Sequence, residues 1–275
     1  MAALGDAEAV LPGWQDDLVA EPGLRGAALH CWLGGAGTVT QAHYDVLHNA
    51  FVQLEGTKRF LLWSPAADDA MRVWPDAHPC ARKSRLPDVA GMPEPDAEVV
   101  LGPGEALYVP PFWFHHVVTE AGPSASLNVF AESSLKRAAA AAMATRPPPS
   151  AGEAGALLAA AWPGVGLGGT AAAFVEALLA SRYADVSARL PARLAAAEGT
   201  TLQDPDDGGA REFAAALGEV RAAAGGGGGP GPSPADGVVA QTLRHCLELW
   251  AVTLCRSRDL DAVAGTLRVI GAAAL

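Results

Sequence analysis

The chain has 275 residues, with 19 Lys and Arg against 30 Asp and Glu, and so a formal net charge of −11 at pH 7. Half of it is apolar, which excludes a disordered tail, and its length suits one large domain or two modest ones. Residues 1–135 hold 7 basic and 17 acidic side chains, too little positive charge for the broad basic face of a general nucleic-acid binder.

In chain order, Asp6 and Glu8 stand where a secretory signal needs a basic stretch and then an apolar run, so no export is expected. Cys31, Cys80, Cys246 and Cys255 form no Cys-x-x-Cys pair and read as reduced thiols of an intracellular protein, nuclear or cytoplasmic. Asn49 to Leu54 and Lys58 to Trp63 alternate in type around Glu55-Gly56-Thr57, which predicts a hairpin joining two strands. Ala106 to Val109 follows the turn Gly102-Pro103-Gly104, and two further short strands, His115 to Thr119 and Ser126 to Phe130, flank Gly122-Pro123. Short strands at this spacing predict an antiparallel sandwich or barrel.

Composition shifts near residue 135, where Lys136-Arg137 opens an alanine run that ends at Arg146-Pro147-Pro148-Pro149-Ser150. The expected organisation is a barrel over 1–135 and an Ala-rich helical region over 136–275. Ala154 to Val175 carries no charge but is broken by Pro163, Gly164, Gly166, Gly168 and Gly169, so no membrane span is expected. Val175, Leu179, Tyr183, Val186 and Leu190 stripe one helix that Pro191 stops, and Val239, Leu243, Cys246, Leu247, Trp250 and Leu254 stripe another. Between them a Gly/Pro-rich segment near 222–236 reads as a flexible loop. The two stripes offer more apolar surface than a thin barrel need cover, which predicts a homodimer through the C-terminal helices, with packing against the barrel as the alternative.

His43-Tyr44-Asp45 is the first constellation with chemistry in it, because residues two apart in an extended segment project to the same side. A histidine from a neighbouring strand would complete a triad of two His and one carboxylate, leaving three adjacent positions of an octahedral iron open. His115 and His116 are the candidates, and as strand neighbours only one of them can face inward. Alternation also puts Asn49, Phe51 and Gln53 on one face of their strand and Lys58, Phe60 and Leu62 on one face of the next, a polar-lined cavity side opposite a core side. By spacing alone Lys58 reads equally well as a solvated residue at a turn.

Thr40-Gln41-Ala42-His43-Tyr44-Asp45, Asn49, Gln53 to Arg59, the run Gly102 to His115, and Asn128 together resemble the Jumonji C and cupin-like oxygenases, over about residues 38–132. The resemblance implies an α+β fold, a double-stranded β-helix (jelly-roll, cupin) barrel followed by a helical C-terminal region. With 42 residues ahead of His43, it also implies a barrel short of its first strands. It implies Fe(II), 2-oxoglutarate as cosubstrate and O2, with His43, Asp45 and His115 as the iron ligands. The second histidine of the family follows a Pro-x-x-x-aromatic segment, which Pro110 and Phe114 fill, so His116 would face outward or hydrogen-bond on the barrel wall. Lys58 matches the partner of the far carboxylate of 2-oxoglutarate, and Thr40 the hydroxyl beside it. Asn49 and Asn128 match side chains that touch the cosubstrate or steady the ligands. Where the family has Asp after its Gly-x-Gly-like turn this chain has Glu105, a change expected to alter a turn contact more than the metal.

The reaction so implied is oxidative decarboxylation of 2-oxoglutarate to succinate and CO2 with hydroxylation of a substrate C–H bond. Within the family, His78 to Ser84 and Phe114-His115-His116 resemble the asparaginyl hydroxylase that inhibits hypoxia-inducible factor, which implies a protein side chain as substrate. His43 to Val46 and Phe112 to His115 are also similar to the transfer-RNA wybutosine hydroxylase, and Arg59, Arg82, Lys83 and Arg85 could form a local basic patch for tRNA. Lysine demethylation and a non-catalytic cupin scaffold are further alternatives. His30 and His48 read as partly buried polar residues, His78 as part of a loop, and His245 as the flank of a core-packed helix.

Overall fold

The structure, a computed structural model, describes residues 28–187, 207–225 and 233–275. Two long strands carry the barrel, β3 (His48–Trp63) and β6 (Phe114–Ala131), paired antiparallel from His48 against Ala131 to Trp63 against Phe114. Each half of each long strand takes its own outer neighbour. β3 pairs first with β5 (Ala106–Val109) and then with β4 (Ala97–Leu101). β6 pairs first with β2 (Val39–Tyr44) and then with β1 (Ala28–Gly35). Two antiparallel sheets result, β1-β6-β3-β5 and β2-β6-β3-β4, sharing the long strands: a double-stranded β-helix of the cupin kind. Phe51, Phe60, Leu62, Leu101, Val109 and Val117 form its inner apolar core, in keeping with the side-chain alternation along β3. The expectation of missing first strands turns on residues ahead of β1, which lie outside the described residues.

The hairpin expected at Glu55-Gly56-Thr57 is not one. β3 runs straight through it, and β6 likewise runs through Gly122-Pro123, where two short strands were expected. The register between the two strands shifts around Glu55 and Thr57. Gly56 has φ +72° and Gly122 φ +130°, and a Cβ on Gly56 would stand 2.6 Å from the Pro123 carbonyl oxygen and 2.7 Å from that of Ala121. These glycines let the paired strands bend from one sheet into the other. Bends and reversals need the same backbone freedom, so a local turn signal does not separate them. Gly56→Ala should therefore lower stability by at least about 2 kcal/mol, from the left-handed backbone plus the backbone clash. Gly102→Ala, whose Cβ would meet only the Glu105 side chain at 3.6 Å, should be much milder. Denaturant midpoints of the two variants check this.

Outside the barrel strands the described chain carries the helices α1 (Asp68–Met71), α2 (Ser134–Met143), α3 (Ala151–Val165), α4 (Ala171–Arg182), α5 (Ala184–Ser187), α6 (Asp207–Ala223), α7 (Pro234–Cys255) and α8 (Leu260–Ala273). Ser133, Ser150, Thr170, Ser233 and Asp259 each precede one of these helices and accept a backbone N–H from its first turn. Tyr44, Trp63, Phe112 and Phe114 leave the barrel wall to join one core with Leu158, Val175, Leu179, Tyr183, Leu243, Leu247 and Trp250. Gly237 lets α7 lie directly on the chain after β3, since a Cβ there would be 2.4 Å from Ala66 N.

Val175, Leu179, Tyr183, Val239, Leu243, Cys246, Leu247 and Trp250 are all buried inside this one chain. Most of the apolar surface that suggested a dimer is thus covered within the chain, as the alternative of packing inside it expected, while Leu254 stays half-buried. The side chain of Val186, and Leu190 with Pro191, lie outside the described residues. The expected 222–236 loop is helical at both edges, α6 reaching Ala223 and α7 starting at Pro234; residues 226–232 lie outside the described residues. Among the described residues, no helix is long and apolar enough to cross a membrane.

Candidate metal centre

β2 ends at Tyr44, whose side chain is fully buried on the helical side of the wall. Its neighbours His43 and Asp45 therefore project the other way, into the barrel. Pairing of β2 with β6 sets His43 opposite His115, with ring centroids 4.2 Å apart. Asp45 Oδ2 stands 3.8 Å from Nε2 of both histidines, and one ligand atom from each of the three residues lies within 4.8 Å of the others.

The imidazoles are oriented from behind. His43 Nδ1 donates to the Gln41 carbonyl at 2.8 Å and His115 Nδ1 to that of Trp113 at 3.3 Å. A carbonyl only accepts, so the proton sits on Nδ1 and the Nε2 lone pairs are left for the centre. Burial, with the nearby His43 charge, pushes the His115 pKa down to about 3, which keeps the ring neutral. Two imidazoles and a carboxylate are a donor set that fits Fe(II).

Thr40, Asn49, Lys58 and Asn128 line the same cavity. Asn128 Nδ2 donates to Asn49 Oδ1 at 3.0 Å. Lys58 is buried, its Nζ donating to Ser126 Oγ at 2.7 Å and lying 5.0 Å from the Phe51 ring centroid. No carboxylate pairs with it among the described residues, and burial pushes its pKa down. An ammonium held out of water without a counter-ion is costly, so this one is a ready partner for an anion.

Sequence reasoning missed Trp32 of β1, which lines the cavity and donates Nε1–H to Asn128 Oδ1 at 2.8 Å. The pairing of β1 with the far end of β6 brings it there, and no local pattern marks it. His116 lies outside the cavity, as expected, but is buried, with Nδ1 lacking the hydrogen bond expected on the wall. Glu105 makes a turn contact, accepting from Gly102 N at 2.7 Å. His30 is exposed rather than partly buried. His245, expected to be a plain helix flank, hydrogen-bonds the Tyr44 hydroxyl at 2.6 Å. Of the four basic residues, Arg59 pairs with Glu98 and Glu120, and Arg85 with Asp185. Arg82 and Lys83 are exposed, with no carboxylate partner among the described residues.

Residues 5–136 match the family of cupin-like domains. A Jumonji C domain-containing protein 5 of Drosophila melanogaster is 37% identical over 115 residues, 38% of this chain and 27% of that protein. A lysine-specific demethylase, JMJ30, of Arabidopsis thaliana is 32% identical over 97 residues, 33% of this chain and 23% of that protein. A tRNA wybutosine-synthesizing protein 5 of Gallus gallus is 33% identical over 110 residues, 36% of this chain and 31% of that protein. The matches thus span about a quarter to a third of these relatives. The family match and the two shared-strand sheets together show a cupin-like domain in the N-terminal part of the chain, similar in sequence to Jumonji C proteins.

Proposed function

We propose that the chain is an Fe(II)- and 2-oxoglutarate-dependent dioxygenase that hydroxylates a protein side chain. The observation that carries this reading is one cavity holding both His43, Asp45 and His115 and a buried Lys58 with no carboxylate partner among the described residues. His43, Asp45 and His115 would hold the iron, and Lys58 with Thr40 would take the far carboxylate of 2-oxoglutarate. When bound, the iron and cosubstrate with O2 supply oxidative decarboxylation coupled to C–H hydroxylation. The protein's own part is positional: the Gln41 and Trp113 carbonyls fix the imidazoles, Asn49 and Asn128 brace the wall, and Phe51, Phe60 and Val117 keep water out.

A protein substrate is favoured over tRNA by charge. The chain carries −11 overall, and two of the four cations of the candidate basic patch are already taken by carboxylates. Exposed Arg82 and Lys83, beside His43 in a bridge from Lys83 to that residue, support tRNA as the second reading.

The test is to incubate the iron-loaded protein with cell extract, 2-oxoglutarate and labelled O2, then locate the label by mass spectrometry. Label retained on a peptide side chain is the expected result. Label on a nucleoside, or loss of methyl groups as formaldehyde, would move the assignment to tRNA or to lysine demethylation. Absence of iron binding altogether would leave a cupin scaffold.

A further inference from the structure

Tyr44 stands between His43 and Asp45 in sequence yet belongs to the helical core, wedged edge-on against Phe114 with ring centroids 5.0 Å apart. Its hydroxyl lies 2.6 Å from His245 Nε2 on α7, and His245 Nδ1 bonds the Asp76 carboxylate. Since a carboxylate only accepts, Nδ1 carries a proton toward Asp76 while Nε2 faces the phenol. Behind Asp76 sits Arg182 of α4, fully buried, 3.7 Å from Asp76, 2.7 Å from Glu248 and 3.3 Å from Asp68. Asp76, His245 and Glu248 are themselves close enough to suggest a second metal. Arg182 already pairs with these carboxylates and Arg244 with Asp68, however, and both nitrogens of His245 are engaged, so it is an ion network and not a vacant ligand set.

The backbone around Tyr44 is tied down as well. Tyr44 N donates to the Arg82 carbonyl at 3.3 Å, and the Asp45 carbonyl accepts from Phe112 N at 2.6 Å. Arg82 (φ +67°) and Phe112 (φ +68°) both lie in the left-handed region, which non-glycine residues hold only where the surroundings over-determine them. The strip carrying Arg82 forms the second edge of β2, through Ser84 N to the Ala42 carbonyl at 2.8 Å. Arg85 anchors that strip to the helical region by donating to the Arg182 carbonyl at 2.9 Å. Asp45 lies just past the end of β2, beyond the last pair of the ladder, so these ties do the holding that a sheet would otherwise do.

We infer that Tyr44 and His245 are positioning residues, forming a buried latch by which the helical region sets the spacing of His43 and Asp45. Buried ion networks contribute little net stability compared with apolar packing of the same volume. What this one adds is a fixed geometry, in the place where the donor set needs it. The inference rests on the metal reading of His43, Asp45 and His115.

Cobalt(II) titration of the full chain, followed by its visible ligand-field bands, tests it. Tyr44→Phe and His245→Gln should each weaken Co(II) binding about tenfold or more, the size of effect seen when the support behind a ligand is lost, and should shift the bands. Leu267→Ala, in the core of α8 and no member of the latch, should lower the thermal midpoint but change neither affinity nor bands. If Tyr44→Phe does not fold, His245→Gln carries the test. Parent affinity and spectrum in the latch variants would overturn the inference, as would equal changes in Leu267→Ala. His115→Ala separates the two claims. If it binds Co(II) as the parent does, the metal reading fails and the latch with it; if it loses Co(II) while the latch variants keep it, only the latch fails.

Discussion

Alanine at His115 is expected to abolish Fe(II) binding, while alanine at His116 leaves the affinity within a few-fold of the parent. The two residues are neighbours in β6 and both are buried, so composition and exposure do not distinguish them. Strand geometry does: His115 faces His43 across the β2–β6 ladder, and its Nε2 points toward Asp45, whereas His116 is paired with Leu61 in β3 and points to the other side of the wall. Removing one of only three protein donors should cost more than the 10- to 100-fold typical of losing a hydrogen bond behind a ligand. His116→Ala removes a buried ring, so it should reduce stability somewhat while sparing the metal. Anaerobic calorimetry with Fe(II), paired with thermal melts, reads both quantities. Loss of iron binding in His116→Ala with retention in His115→Ala would mean that the assigned strand face is inverted.

Period-two alternation was sufficient to sort the faces of β3, because Asn49, Phe51, Lys58 and Phe60 do turn inward together. It could not say that those residues lie on a single bent strand. Gly56 and Gly122 carry the same local signal as a hairpin turn, and only the facing strand, approaching a hypothetical Cβ on Gly56 more closely than van der Waals contact allows, reveals a corner. Helix starts went unread, although the Ser, Thr or Asp that caps α2, α3, α4, α7 and α8 acts by a local mechanism. What covers an apolar stripe is not local, and the buried residues of the α4 and α7 stripes join one core within this chain.

The cavity itself divides in the same way. The His-x-Asp pair is readable from strand geometry, but the choice between two adjacent histidines came from resemblance, because it depends on how β6 is registered against β2. Trp32 and the Tyr44–His245 contact were missed for the same reason. Each joins segments far apart in sequence, 96 residues for Trp32 to Asn128 and 201 for Tyr44 to His245, with nothing in either segment alone to announce the other.

Lys58→Met is expected to weaken 2-oxoglutarate binding strongly while leaving iron binding intact, since the candidate ligands lie on β2, just past its end and on β6, and Lys58 on β3. Methionine keeps the length and apolar stem, so the change isolates the charge. In the parent, the ammonium is buried, hydrogen-bonded only to Ser126 among the described residues, and lowered in pKa by burial against a smaller opposing effect of Cys31. Without an anion this group is a cost to the fold, so the unliganded variant should be at least as stable as the parent near neutral pH. With a dicarboxylate bound the balance reverses, because the variant leaves a desolvated carboxylate unpaired. Breaking such a pair costs about 2–5 kcal/mol, or roughly a thirtyfold to several-thousandfold loss of affinity. Lys58→Arg should fall between, since charge is kept but the wider guanidinium must fit beside Phe51 and Ser126 in a space shaped for a point charge. Calorimetric titration of 2-oxoglutarate into the iron-loaded variants measures the three affinities. Equal binding by Lys58→Met and the parent would remove the anion partner from this cavity and with it the cosubstrate assignment, because among the described residues lining the cavity no other Lys or Arg is present to replace Lys58.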